Sequence, residues 1–374
     1  MIIDRHECPP SLLRLSELFT DRILPYWITV GLDPGTGHFH EALALDGAPL
    51  SDSTLRTRTA ARMIYVYADA ARLGMAPDGS LSAAVLAAEA LERDAGVAEG
   101  GYVRSIDRCT GTVLDAVRDL YDMSCTLIAL ASLLQTTGER CWLERAEALL
   151  AALDRLLVLP SGGYAEDETG TLPRRQNPHM HLFEALTGLT EATRSDDHLS
   201  RLTVMHDLFL TRLLDGEGIL TEYFGPAWER GDEWRSERLD PGHMAEWATL
   251  LSQAEHLLNT DDSVIVEKLT QDAIQLGPAG SHPLFFADEV NREGQGLRNR
   301  SRLWLQVEQI KSCLITGRLK RAEMVAEALL ETYLASAERG VWIDSLDLGG
   351  NPIANTVPAS SCYHLWTLVR LLPR

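Results

Sequence analysis

The feature of this sequence that most constrains its fold is a repeat of about sixty residues. Short turns, most of them with glycine before an aromatic or aliphatic residue, recur six times along the 374-residue chain. A unit of this length is too long for one helix or one hairpin, and it fits a pair of helices with its connections. The hydrophobic residues of the six turns are Phe39, Tyr102, Tyr164, Ile219, Phe285 and Trp342.

A polar or aromatic side chain suited to chemistry follows each turn after about twenty residues. These side chains are Arg62, Tyr121, His181, His243, Trp304 and His364. Because each stands at the same stage of its repeat, they are expected to lie at one end of a closed ring. Arg62, His181, His243 and His364 are expected to face a single cavity there.

Hydrophobic patterning supports a ring of helix pairs. The segment 123–135 is apolar almost all round, as in a buried inner helix, and 142–157 is amphipathic, as in an outer one. The amphipathic segment 11–29 and the apolar segment 363–372 each lack an adjacent segment in the sequence with which to form a helix pair. They are therefore expected to pair with each other and close the ring. The predicted fold is all-α, an (α/α)6 barrel (toroid) in which residues 1–374 form a single catalytic domain with short β-hairpins between helices. The same inner-then-outer order recurs in three later pairs of segments: 179–191 and 199–214, 243–258 and 263–276, and 302–316 and 319–338.

The composition limits which binding partners and which cellular compartment are expected. The formal net charge is −20 with a pI near 4.9, so neither nucleic acid nor an anionic membrane is an expected partner. The first residues lack the apolar core of a signal peptide. The longest apolar run, 125–134, is far shorter than the ~20 residues that a membrane span needs. Six cysteines without a CxxC pair favour a reducing, cytoplasmic setting.

Histidines near helix starts are the clearest chemical signal. They occur in three segments, in each of which a helix is predicted to begin after a proline: 174–186, 239–251 and 358–369. In the first two, a glutamate follows the histidine by three residues, at His181 with Glu184 and His243 with Glu246, and therefore shares its helix face. A carboxylate beside an imidazole orients the ring and raises its pKa, as proton transfer requires.

Two other interpretations of these histidines stay open. A histidine at a helix start is often a cap or a satisfied polar group, and three ring positions far apart in sequence could converge on a metal ion. The HxxE spacing differs from the HExxH zinc signature, so no metal and no cofactor are predicted. The histidines outside the shared register are expected to be structural: His38, His40, His198, His206 and His256.

Around these segments the sequence resembles the N-acylglucosamine 2-epimerase superfamily, which also holds cellobiose 2-epimerases and mannose and related aldose–ketose isomerases. The resemblance covers nearly the whole chain in the right order. Its central motifs are NPHMHLFE at 177–184, PGHMAEW at 241–247 and PASSCYH at 358–364. Supporting matches are Arg58, Arg62, Asp119, Tyr121, Asp122, Arg302, Trp304, Gln306 and Glu308.

The resemblance implies an (α/α)6 barrel and proton transfer at C2 of a sugar through a cis-enediolate. It implies that His243 and His364 are the acid/base pair and that Glu246 tunes His243. It further implies that His181 opens the sugar ring or stabilises the enediolate and that Arg62 faces the developing oxyanion. The implied substrate-binding residues are Asn177, Tyr121, Trp304, Glu308 and Arg58.

The sequence also departs from the family pattern. Leucine and valine flank Gln306 where the family commonly has proline and threonine, and Ala60, Ala61 and Met63 replace frequent glutamines beside Arg62. N-acylglucosamine enzymes often carry a Gly-rich nucleotide-effector loop, and 277–283 is a poor counterpart because it supplies no basic residue. These departures leave the histidines intact and concern the groups that select the sugar.

The predicted function is a metal-independent isomerase that interconverts an unphosphorylated aldose and its ketose, of the mannose/fructose type. The expected partner is a small monosaccharide, and a homodimer stays open. The alternatives are an aldose or N-acylglucosamine 2-epimerase and a catalytically degenerate glycan-binding protein. An (α/α)6 glycoside hydrolase would instead require two converging carboxylates.

Overall fold

The computed structural model describes residue 5 and residues 7–373. The α-helices in this part of the chain are α1 (Pro10–Leu18), α2 (Leu24–Tyr26), α3 (Thr57–Arg72), α4 (Ser80–Ala95), α5 (Leu120–Thr137), α6 (Arg140–Leu157), α7 (Asn177–Thr193), α8 (Asp196–Leu208), α9 (Pro241–Leu258), α10 (Ser263–Leu276), α11 (Leu303–Ile315), α12 (Leu319–Glu331) and α13 (Ser361–Val369). The short strands are β1 (Ala42–Ala44), β2 (Thr54–Arg56), β3 (Ser105–Asp107), β4 (Val113–Asp115), β5 (Arg174–Arg175), β6 (Tyr223–Phe224), β7 (Ser301–Arg302), β8 (Ser345–Leu346) and β9 (Thr356–Pro358).

The chain divides into two compact units. We call them the middle unit and the terminal unit, because the second includes both ends of the chain. The middle unit comprises Val30–Glu41 and Leu50–Ser236. The terminal unit comprises Met1–Thr29, Ala42–Pro49 and Glu237–Arg374. That residues 1–374 form a single domain stays a prediction.

In the middle unit, three inner helices pack side by side and each carries an outer partner. Helix α5 lies between α3 and α7, and the outer helices α4, α6 and α8 pack on α3, α5 and α7 respectively. Helix α5 is buried along nearly its whole length, from Leu120 to Leu133, whereas α6 buries only one stripe. The predicted alternation of apolar inner and amphipathic outer helices is confirmed here.

The terminal unit repeats this arrangement. Helix α11 lies between α9 and α13, and α10 and α12 pack on α9 and α11. The predicted pairing of the first and last helical segments is confirmed by the stacked rings of Phe19 and Trp366, whose centroids are 6.2 Å apart.

Some predicted helices are interrupted or shorter in the structure, as two segments illustrate. The segment predicted at 11–29 is interrupted by a π-helical turn at Phe19–Ile23. Pro25 follows this turn, and proline lacks the amide hydrogen and crowds the preceding helical turn. The segment predicted at 319–338 ends at Glu331, where the Thr332 hydroxyl donates to the Ala328 carbonyl.

Glycine makes the repeated turns of the middle unit possible. Each turn holds a glycine at positive φ, the backbone region that side chains disfavour. These glycines are Gly37 (φ 82°), Gly100 (92°), Gly162 (85°) and Gly218 (74°). The chain on either side of each turn then meets in one antiparallel bridge: Leu32 with Phe39, Gly96 with Tyr102, Val158 with Tyr164, and Leu214 with Leu220.

Short strands lead directly into the inner helices. The strands pair antiparallel, as β2–β3–β4 and β5–β6 in the middle unit and as β1–β9 and β7–β8 in the terminal unit. The β3–β4 pair, between α4 and α5, is one of the short hairpins predicted between helices. Strands β2, β5, β7 and β9 each end within a few residues of the start of α3, α7, α11 or α13. This pairing fixes the starts of those four helices, whose first two turns carry Arg62, His181, Trp304 and His364. None of the described helices is both long and apolar enough to cross a membrane.

Candidate active site

Three of the predicted site residues meet in the middle unit, each on a different inner helix. Nη2 of Arg62, on α3, donates a hydrogen bond of 2.9 Å to the Tyr121 hydroxyl on α5. The same Nη2 lies 3.2 Å from Nε2 of His181, on α7. The His181 ring stacks on the Tyr121 ring with centroids 5.1 Å apart. We call these three residues the arginine cluster.

The contacts of His181 fix its tautomer. A guanidinium has only donors, so Nε2 of His181 accepts the hydrogen bond from Arg62. Its Nδ1 therefore carries the hydrogen, which is donated to Oε2 of Glu184 over 3.0 Å. The His181–Glu184 contact expected from their spacing is thus confirmed, and the ring is a neutral imidazole held from both sides.

Further cations surround Tyr121. Arg58 is held by a carboxylate oxygen of Asp122 at 3.2 Å, and Arg175 is held by Glu166. Burial raises the pKa of both carboxyl groups above the ordinary range, and the paired arginines oppose that rise. The guanidinium carbons over the Tyr121 ring are those of Arg58 at 5.2 Å, Arg62 at 5.4 Å and Arg175 at 5.9 Å.

Asn177 is the first residue of α7 and stands one helical turn before His181. His179, which lies between them in the sequence, has a structural role. Its Nε2 accepts a hydrogen bond of 3.1 Å from the Tyr164 backbone amide, so this ring holds the Gly163–Tyr164 turn. Burial lowers the pKa of His179 to about 4.

Both predicted acid/base histidines meet one indole in the terminal unit. The Trp304 ring, on α11, lies 5.1 Å from the His243 ring on α9 and 5.2 Å from the His364 ring on α13, measured between centroids. Gly242 allows this approach, because a Cβ there would lie 2.7 Å from two indole carbons. We call His243, Trp304 and His364 the histidine cluster.

Each of these two histidines has a carboxylate near Nδ1. Nδ1 of His364 lies 2.8 Å from Oε1 of Glu308, whose side chain is fully buried. Nδ1 of His243 lies 3.6 Å from Oδ2 of Asp240, the residue that caps α9 by accepting from the Gly242 amide. The sequence predicted Glu246 as the carboxylate partner of His243. In the structure, a carboxylate oxygen of Glu246 lies within 4.8 Å of ligand atoms of Glu308 and His364. Tuning of His243 by Glu246 stays a prediction.

One group of described residues has the spacing of a metal site. Ligand atoms of Glu246, Glu308 and His364 all lie within 4.8 Å of one another, and all three residues are buried. Nζ of Lys311 lies 2.7 Å from Oε2 of Glu308. A metal ion at Glu308 would compete with this ammonium and with the Nδ1–H of His364.

Three residues that contact predicted site residues were not themselves predicted from the sequence: Arg175, Asp240 and Lys311. Asp240 precedes a proline at a helix start, a capping signal that was available. Lys311 is a charged residue within a helix that is otherwise mostly apolar, which was a second signal.

The five histidines predicted to be structural belong to neither cluster; His38, for example, is buried with Nε2 at 2.8 Å from Asp94. That the two clusters line one cavity stays a prediction.

The chain is similar to known proteins along most of its length. The family model of N-acylglucosamine 2-epimerase (GlcNAc 2-epimerase) matches residues 37–367. The chain belongs to this family. As a member of the N-acylglucosamine 2-epimerase family, it is an isomerase or epimerase of sugars, and the resemblance noted in its histidine motifs is confirmed.

Individual relatives agree with the family assignment. A mannose-6-phosphate isomerase of Rhizobium meliloti (strain 1021) is 29% identical over 367 residues, which cover 94% of this chain and 94% of that protein. A solved D-mannose isomerase has a TM-score of 0.85 at 19% identity, with 96% of this chain and 97% of that chain covered. A cellobiose 2-epimerase from Bacillus thermoamylovorans B4167 has a TM-score of 0.83 at 18% identity, with 96% and 99% covered. These likenesses confirm the predicted fold class, an (α/α)6 barrel.

Proposed function

We propose that this family member interconverts an aldose and its ketose, of the mannose/fructose type, by proton transfer at C2 through a cis-enediolate. The observation that carries the proposal is the histidine cluster, in which two imidazoles flank one indole and each has a carboxylate near Nδ1. Such a pair suits proton removal from and delivery to carbon. The relatives by sequence that are named mannose-6-phosphate isomerase and D-mannose isomerase support this reaction over 2-epimerisation.

His364 is the better-prepared base of the two. Because its Nδ1–H is donated to Glu308, the neutral ring carries its lone pair on Nε2, and the carboxylate stabilises the imidazolium that forms. In the forward direction the C2 proton moves to a histidine while the aldehyde oxygen gains a proton. Return of the proton to C1, with loss of the proton on the C2 hydroxyl, gives the ketose. We assign His243 to the hydroxyl protons, with Glu246 as its tuning carboxylate.

The arginine cluster is assigned to charge rather than to carbon. Arg62 stabilises the developing oxyanion, and His181, held neutral by Arg62 and Glu184, assists ring opening or stabilises the enediolate. The remaining predicted residues are assigned to substrate binding: Arg58, Tyr121, Asn177, Trp304 and Glu308.

We further propose that no metal takes part. The carboxylate that a metal would need, Glu308, already bonds Lys311 and His364. Activity is therefore expected to survive prolonged incubation with EDTA. Loss of turnover that one added divalent metal restores would contradict the metal-free mechanism.

The decisive experiment is a panel of free aldoses and ketoses incubated with the enzyme in heavy water and followed by proton NMR. We expect fructose to form from mannose faster than glucose does, with deuterium entering the carbon-bound positions. Glucose that accumulates before fructose would replace the isomerase with a 2-epimerase. A glycan-binding protein without activity would exchange no carbon-bound proton in any sugar.

A phosphorylated aldose is the second candidate substrate. Three guanidinium groups lie within 6 Å of the Tyr121 ring, and the relative from Rhizobium meliloti is named for mannose 6-phosphate. Comparing kcat/KM for mannose and mannose 6-phosphate separates the two substrates. If the phosphate is recognised here, Arg175→Gln raises KM for the phosphosugar and leaves KM for mannose unchanged.

A further inference from the structure

Lys311 is a buried lysine to which the proposed mechanism gives no role in proton transfer. Its residue is 2% exposed, on a helix whose neighbouring residues Val307, Ile310 and Leu314 are buried and apolar. Lysines are almost never buried in this way unless they are paired, because taking an ammonium group out of water is costly. The position therefore calls for a specific partner.

The contacts of Lys311 lead to His364 by two routes. Its Nζ lies 2.7 Å from Oε2 of Glu308, while the other carboxylate oxygen of Glu308 lies 2.8 Å from Nδ1 of His364. Nζ also donates a hydrogen bond of 3.1 Å to the Thr367 hydroxyl, on α13. That hydroxyl donates in turn to the backbone carbonyl of His364 over 3.0 Å. Lys311 is thus linked to both the ring and the backbone of this histidine.

The charges explain why a cation stands here. Glu308 is fully buried and Glu246 is 1% exposed, and both belong to the group whose ligand atoms lie within 4.8 Å of one another. Two buried carboxylates so close to each other repel, and an ammonium group bonded to one of them offsets that repulsion. Glu308 is hydrogen-bonded to the imidazole through Oε1 and ion-paired with the ammonium through Oε2, so a rotation of the carboxylate would disturb both contacts.

We propose that Lys311 is a positioning residue for proton transfer, holding the Glu308 carboxylate as the acceptor of the His364 Nδ1–H and so directing Nε2 to the sugar. This role rests on the proposed function of His364. Lys311 does not touch the substrate in this scheme and acts only through Glu308.

The test is a double-mutant cycle on Lys311→Met and Glu308→Gln, with Lys268→Met as the matched control. Lys268 forms an ion pair of the same length with Asp272 on α10. For the sugar that the wild type converts, we expect Lys311→Met to lower kcat by about 10- to 100-fold and to change KM by less than about 3-fold. Lys268→Met is expected to change kcat by less than about 2-fold, because this partly exposed ion pair lies on an outer helix and contacts neither cluster.

The cycle shows whether Lys311 acts through Glu308. In the Glu308→Gln background, adding Lys311→Met is expected to change kcat by less than about 3-fold, because its target is already removed. A further loss of more than about 10-fold in that background would overturn the proposal, as would an unchanged kcat for Lys311→Met alone. If Lys311→Met fails to fold, the double variant, which removes both charges, still allows the comparison with Glu308→Gln.

A second measurement does not depend on the substrate. Nitrogen NMR of ¹⁵N-histidine-labelled protein, with the His364→Asn spectrum used for assignment, reports the tautomer of His364. We expect one Nδ1–H form in the wild type and a mixture in Lys311→Met. An unchanged tautomer in Lys311→Met would contradict the positioning role. A wild type that converts no sugar would contradict the proposed function, and the NMR result would still decide what Lys311 does.

Discussion

In the middle unit the imidazole of His181 contacts an arginine, Arg62, as well as the carboxylate of Glu184, whereas in the terminal unit the imidazole of His364 contacts the buried carboxylate of Glu308. In both units an aromatic ring, Tyr121 or Trp304, packs against the histidine. The same backbone plan, with functional residues in the first two turns of inner helices, therefore supports two different environments of charge.

The difference assigns the chemistry. Arg62 donates to Nε2 of His181 and disfavours a second positive charge there, although Glu184 accepts from Nδ1, so the arginine cluster is suited to stabilising negative charge on the substrate. A carboxylate beside an imidazole favours the imidazolium, so the histidine cluster is suited to accepting a proton. Exchanging one functional residue at a time in each unit tests this division.

The largest expected effect is at His364. His364→Asn keeps a polar side chain and removes the base, so kcat is expected to fall by about 10³-fold, within the usual range for a positioned acid or base. His181→Asn is expected to cost only about tenfold, because that ring is held neutral and moves no proton at carbon. His256→Asn, at an exposed position, is the control and should change kcat by less than about 2-fold. Equal losses for His364→Asn and His181→Asn would break the contrast between the clusters.

The next effect concerns stability in the middle unit. Burial lowers the pKa of His179 to about 4, whereas an unfolded histidine titrates near 6.5. Between these values only the unfolded chain binds the proton, so the free energy of unfolding falls as the pH is lowered through that window. The loss amounts to roughly 3 kcal/mol at pH 4.

Denaturant unfolding at several pH values measures this dependence. His179→Gln removes the titrating ring, so its difference in stability from the wild type should shrink as the pH falls from 7 to 4.5. His256→Gln, at the exposed position, should follow the wild type. The same pH dependence in His179→Gln and in the wild type would show that His179 is protonated in the folded protein.

Arg62→Met tests the assignment of charge to the arginine cluster. Loss of a preorganised donor to an oxyanion typically costs about 10²-fold in kcat, and we expect that fall with a KM changed by less than about 3-fold. Arg72→Met is the matched control on the same helix, where the arginine bonds Asp69, one helical turn earlier. A raised KM with an unchanged kcat would mean that Arg62 binds the substrate in its ground state.

The smallest expected effect compares two glycines of inner helices. In the terminal unit, a Cβ at Gly242 would lie 2.7 Å from the Trp304 indole, so Gly242→Ala should lower the free energy of unfolding by about 1–2 kcal/mol. In the middle unit, a Cβ at Gly188 would lie 3.5 Å from Ala131, an ordinary contact, and Gly188→Ala should stabilise α7 by up to about 1 kcal/mol. Thermal unfolding measures both changes. Equal shifts in Tm would show that the indole yields to the added methyl group.

Periodicity in the sequence determined the helix pairs, because inner helices must be apolar all round and outer helices on one face only. It also determined the pairing of His181 with Glu184, since residues three apart share a helix face. The motifs around His181, His243 and His364 were sufficient to identify the family.

The tertiary structure alone decided which carboxylate serves His364. At His243 the spacing of three residues fits both Asp240 and Glu246; Oδ2 of Asp240 lies 3.6 Å from Nδ1, and tuning by Glu246 stays a prediction. Glu308 serves His364 from another helix, and Lys311 reaches Thr367 across the same interface. Spacing along a helix fixes a face, but which side chain on that face meets a neighbouring helix depends on how the helices pack.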